Sequence, residues 1–96
     1  MSDKIDVENF TSPGKTYRVD AAKYAAMRDA IMNITPKTAP GLTNADIKQG
    51  VLQHLPDSLF PAGTTAGWWI KCVQLDLEAK GLMIRSKTSP LRFHLT

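Results

Sequence analysis

Residues 66–80 place apolar side chains on two opposite sides of one helix, so any fold for this chain has to cover both. At about 100° per residue, Trp69, Ile70, Val73 and Leu77 gather on one side. Trp68, Cys72, Leu75 and Ala79 gather on nearly the other, and only a narrow polar stripe of Lys71, Gln74 and Glu78 lies between. The first set reads as the core face. The second is too large to leave in water. One indole presents about 150–250 Å², and an open patch of Trp68, Cys72 and Leu75 approaches the roughly few hundred Å² that a monomer tolerates. These three are candidate interface residues. Three covers are open: the N-terminal segment through Ile5, Val7, Phe10 or Tyr17; a second copy, giving a homodimer; or a different protein.

The rest of the chain supplies two more helices and a hairpin. Asp20 is an N-cap, and Val19 and Tyr24 take the staple positions around it. Tyr24, Met27, Ile31 and Ile34 then form one apolar stripe, which Pro36 and Pro40-Gly41 end. Thr43 caps a second helix with Asp46 in the capping-box position and Leu42 and Ile47 as the staple. Ile47, Val51 and Leu55 continue its buried stripe until Pro56, and Leu59 and Phe60 plug the core from the following loop. Thr64 or Thr65 caps the third helix, and Gly81 ends it as a left-handed C′ residue. Leu82 to Ser86 and Leu91 to Leu95 alternate about Lys87-Thr88-Ser89-Pro90, which predicts a β-hairpin. Leu82, Ile84, Leu91, Phe93 and Leu95 are expected to face inward, and Met83, Arg85, Arg92 and His94 outward. Residues 1–19 show no helical period and read as a tail lying partly against a domain of residues 20–96. The expected fold is mainly α with a small C-terminal β-hairpin.

Charge is distributed unevenly. Residues 1–63 balance, and the whole excess of +3 falls in residues 64–96, where Lys71, Lys80, Arg85, Lys87 and Arg92 face only Asp76 and Glu78. A one-sided basic excess points to a polyanionic partner. With 96 residues a single domain is expected, and the lone Cys72 excludes an intramolecular disulfide. No run is long and apolar enough for a membrane span or a signal peptide, so no membrane role and a cytoplasmic location are expected.

Leu77-Glu78-Ala79-Lys80-Gly81-Leu82-Met83-Ile84-Arg85, followed by Pro90-Leu91-Arg92-Phe93-His94-Leu95-Thr96, resembles the third-helix-to-wing segment of bacterial winged-helix regulators. The chain also resembles a family of short, uncharacterised bacterial proteins with that architecture. The resemblance implies a winged helix-turn-helix: three helices plus a C-terminal two-stranded wing. The connection between helices two and three departs from it, being longer than the roughly 3–4 residues of a helix-turn-helix.

On that fold the leading expectation is a small transcriptional regulator that binds double-stranded DNA. Arg85, Lys87 and Arg92 on the wing meet phosphate, and Lys71 and Gln74 reach from helix three. The alternative is a protein-interaction module that uses the outer face of helix three. Cys72 reads as a packing residue, and His54 as a favourable residue at a helix C-terminus. His54, His94 and Cys72 lack metal-ligand spacing, and no phosphate-cradling loop or nucleophile elbow occurs. No metal, cofactor or enzymatic activity is expected.

Overall fold

The computed structural model describes residues 3–96. The chain begins with an antiparallel hairpin, β1 (Lys4–Glu8) and β2 (Thr16–Asp20), and passes directly into helix α1 (Ala21–Ile34). A two-residue strand β3 (Leu42–Thr43) leads into α2 (Asn44–Val51). Short 3₁₀ turns at Leu52–His54 and Pro61–Gly63 connect it to α3 (Ala66–Ala79), and β4 (Met83–Ser86) and β5 (Arg92–Leu95) finish the chain. The second sheet has the order β3-β5-β4, antiparallel throughout.

This is a mixed α/β fold. It corrects the expectation of a mainly α winged helix with one two-stranded wing, because five strands form two sheets among the described residues, one of them at the N-terminal end. The reason lies in two short alternations. Ile5 and Val7 pair with Val19 and Tyr17 across the Thr11–Gly14 turn, which puts all four side chains on one face. Two apolar residues per strand make a weak period, but pairing them creates a surface that a helix can accept. The C-terminal hairpin gains a third strand where Leu42 and Thr43 pair with Phe93 and Arg92. Gly41 permits that approach. Its φ is +89°, and a Cβ there would overlap the Phe93 carbonyl.

Local signals act where the sequence places them. The Asp20 carboxylate accepts from the Lys23 N–H at 2.9 Å. Thr43 and Asp46 complete a capping box at 3.1 and 3.3 Å. Thr65 caps α3 by position only: it is left-handed, and its hydroxyl donates to the Thr64 carbonyl and accepts from no helix N–H. The core joins Met27 and Ile31 of α1, Ile47 and Val51 of α2, Val73 and Leu77 of α3, Phe60 from the loop and Phe93 from β5, all fully buried.

At the end of α3 the sequence reading of β4 slips by one residue. Gly81 N–H donates to Glu78 O and Leu82 N–H to Leu77 O, so the Leu82 amide belongs to the helix cap, while its carbonyl accepts from the Thr96 N–H at the end of the ladder. The strand starts at Met83, which pairs with Leu95, and Arg85 pairs with Phe93. Met83 is therefore buried, Ile84 is 46% exposed, and Arg85 shares the inner face. A one-residue slip turns every side chain of a strand to the other face. Leu91, expected inward, lies before β5 and is exposed.

Candidate interaction groove

Helix α3 is covered on both sides, and the N-terminal hairpin supplies the second cover. Val7 of β1 is 2% exposed. The Glu8 N–H donates to Asp76 Oδ1 at 2.8 Å, and the Phe10 N–H donates to the Leu75 carbonyl at 3.3 Å. Leu75 is buried as a result, and Cys72 is half-buried. The cover stops short of Trp68, which stays 60% exposed. Its indole packs edge-on against buried Trp69 at 5.0 Å, and Trp69 packs edge-on against buried Phe60 at 6.4 Å. The exposed ring is thus held by the core beneath it.

Two carboxylates of α3 are buried and fully engaged. Asp76, 0% exposed, accepts from the Tyr24 hydroxyl, from Lys80 Nζ at 2.8 Å and from the Glu8 amide. It lies at helical spacing from Trp69 and Val73, on the core stripe, and its burial was open to sequence reasoning on that count. Glu78 accepts Arg85 Nε at 2.9 Å and Nη2 at 3.0 Å, together with Gln74 Nε2 at 3.1 Å. The Arg85 guanidinium also lies 5.4 Å from the Phe10 ring centroid and 5.7 Å from that of Phe93. Burial, then the hydrogen bond to Asp76, pushes the Tyr24 hydroxyl well above the usual phenol range. Burial, then the Asp76 charge, pushes the Cys72 thiol up to about 11, so at neutral pH it is not a thiolate nucleophile.

The residues expected to meet DNA are not brought together. Gln74 is buried against Glu78, and its Oε1 finds no partner among the described residues. Arg85 faces inward in a bidentate pair, as its register requires. Arg92, on the outer face of β5, donates to the Gly41 carbonyl at 3.0 Å. Lys87 is exposed in the β4–β5 turn, and Lys71 is exposed on α3. Lys80 and Arg85 are spent on Asp76 and Glu78, which leaves Lys71, Lys87 and Arg92 without an ionic partner among the described residues.

Lys71 belongs to a different surface. Between the hairpin and α3 lies a groove of about 530 Å³, with Val7, Val19, Cys72 and Leu75 as its apolar lining. Tyr17, 49% exposed, and Trp68 add two aromatic faces, and exposed Arg18 and Lys71 add positive charge against one carboxylate, Glu8. Arg18 also stands 3.6 Å from Asp6, with both side chains largely in water. The groove contains the three candidate interface residues, Trp68, Cys72 and Leu75. It also holds Val7 and Tyr17, which the sequence offered as an N-terminal cover for this face of α3, and Arg18 and Val19, which it did not assign to a site. The period-two pairing of residues 5–7 with 17–19 was the signal for them.

The chain belongs to a family of unknown function (DUF6958). The match runs over residues 4–93, from the first residue of β1 into β5, so the hairpin, α3 and the groove between them all lie inside the DUF6958 unit. No curated protein and no solved structure matches the chain. Neither comparison ties it to the winged-helix proteins that its last third resembles. Among the described residues no group of three or more His, Cys, Asp or Glu is placed to hold a metal ion, and no helix is long and apolar enough to cross a membrane.

Proposed function

We propose that this chain is a protein-binding module whose groove takes an apolar segment of a partner protein, flanked by acidic residues. The observation that carries the reading is Trp68, the most exposed large apolar side chain described, seated edge-on against buried Trp69 and lining one groove with Tyr17. An exposed indole beside an apolar cleft is the composition of an interface hot spot. Lys71 in the groove, and Arg18 on the far face of the adjoining β2 edge, favour a partner of negative charge. Double-stranded DNA is the weaker occupant, because Gln74 and Arg85 are taken up inside the fold and the cations that remain are divided between the groove and the β-sheet.

The test is selection of random linear peptides, displayed on phage, against the intact chain. Selected peptides should combine apolar and acidic residues, change tryptophan emission, and lose about thirtyfold in affinity for Trp68→Ala, the loss typical of a hot spot. Equal binding to Trp68→Ala overturns the reading. So does a stable dimer that buries Trp68. Binding of a random duplex at low salt, weakened by charge removal at Lys87 and Arg92 and indifferent to Trp68, would restore the DNA reading.

A further inference from the structure

We propose that the partner segment binds as an extended strand added to the free edge of β2, an inference that rests on the groove being a protein-binding site. The phase of the hairpin ladder carries it. Ala21 N–H donates to the Asp3 carbonyl at 2.9 Å, one step beyond the Lys4–Asp20 pair. Antiparallel ladders alternate bonded and non-bonded pairs. Ile5–Val19 and Val7–Tyr17 are therefore the bonded pairs, and the amides of Asp6, Glu8, Thr16 and Arg18 point away from the hairpin. The Glu8 and Phe10 N–H groups agree with this phase, since both leave the outer edge of β1 and end on α3.

The two edges thus have different fates. That of β1 is docked on α3. That of β2 pairs with no strand, and the N–H and C=O of Thr16 and Arg18 have no backbone partner among the described residues. The edge also adjoins the groove, because Tyr17, Arg18 and Val19 line it. An added strand would exchange main-chain hydrogen bonds with Arg18. Its residues opposite Tyr17 and Val19 would then share their face and turn toward Trp68. Its residue opposite Arg18 would lie on the other face beside the guanidinium, where a carboxylate would share Arg18 with Asp6, 3.6 Å away in a water-exposed pair. The recognised pattern is apolar-acidic-apolar.

A second copy fits this edge poorly. The self-pairing that aligns all of β2 sets Arg18 opposite Arg18, and like charges directly opposite are destabilising. The same arginine that repels a copy selects an acidic partner.

The probe is a blocked synthetic peptide with the core Thr-Val-Glu-Leu-Thr, titrated into the intact chain and followed by NMR. Binding should slow hydrogen exchange at the Arg18 amide. N-methylation of the peptide glutamate, whose amide faces β2, should weaken binding about tenfold, the equivalent of one hydrogen bond at the upper end of its range. N-methylation of the adjacent leucine, whose amide faces away, should leave it within about twofold. Trp68→Ala should weaken every peptide. Binding that depends on Trp68 but ignores the position of the methyl group overturns strand addition and leaves the groove reading standing. Binding that ignores Trp68 overturns the groove reading itself. No binding at millimolar peptide, or an Arg18 amide protected in a dimer without peptide, overturns strand addition by this class of segment.

Discussion

Asp76 is where the N-terminal hairpin, α1 and the end of α3 meet on one carboxylate, and Asp76→Ala should release the hairpin. The magnitude follows from what each donor loses. The Tyr24 hydroxyl and the Glu8 amide would each be left without their acceptor, at about 1–3 kcal/mol apiece. Lys80 adds little, because its side chain is 36% exposed and regains water when the pair breaks. Removing a buried charge returns part of its desolvation cost. The net loss should be about 3–4 kcal/mol, a large share of the roughly 5–15 kcal/mol typical of a domain. Asp76→Asn should cost less, because its carbonyl can still accept from Glu8 and the Tyr24 hydroxyl can turn to accept from the amide. Urea denaturation at neutral pH measures both, read at unchanged slope. Amide exchange should show Glu8 and Phe10 loosened first, with β4 and β5 still protected. A loss below about 1 kcal/mol for the alanine variant, or hairpin amides no more labile than those of β5, would refute the assignment of Asp76 as the hairpin's anchor.

Two further perturbations test the packing. Gly41→Ala should destabilise the chain by about 2–4 kcal/mol in the same urea assay, since it combines a left-handed φ with overlap on the Phe93 backbone; a neutral substitution would mean that β3 does not pair with β5 as described. Cys72 gives a pH signature. Its thiol rises from an ordinary 9.0 to about 11 on folding, so its contribution is fully present below about pH 9 and is lost as pH climbs toward 11, where the unfolded chain already carries thiolate. The urea midpoint should fall across that window, and less steeply in Cys72→Ala; identical slopes would show that the thiol feels no burial.

The sequence was most legible where one or two residues decide a local geometry. Asp20, the Thr43–Asp46 box and Gly81 act over a single turn of chain, and each ends or starts a helix as its chemistry requires. The stripes of α1 and α2 were legible because the same spacing recurs several times. The N-terminal hairpin was not, because Ile5, Val7, Tyr17 and Val19 mean little until the two strands pair and α3 lies under them. The fold class failed on that point, and on the two residues of β3 that only the Gly41 approach to Phe93 makes possible. In the groove, Trp68, Cys72 and Leu75 were visible from the helix alone. Their partners on β1 and β2 came from a segment read as a tail.

The offset at Leu82 has the widest consequence. In the register expected from alternation, Arg85 points to solvent and joins Lys87 and Arg92 in a basic surface. The helix cap takes the Leu82 amide, the observed pairing sets Met83 and Arg85 on the face of Leu95 and Phe93, and Arg85 turns inward to meet Glu78. Without Arg85, Glu78 would keep only the Gln74 amide as donor, and a buried carboxylate without a cation costs several kcal/mol in such a place. The two features require each other: the buried acid holds the shifted register, and the shifted register delivers the guanidinium that the acid needs. The same pairing takes a cation off the surface that a polyanion would meet. On this chain the cation beside an exposed aromatic ring is Lys71, three residues from Trp68 on α3, with Arg18 on the adjoining edge strand, and a ligand that needs both an apolar seat and a cation is served there.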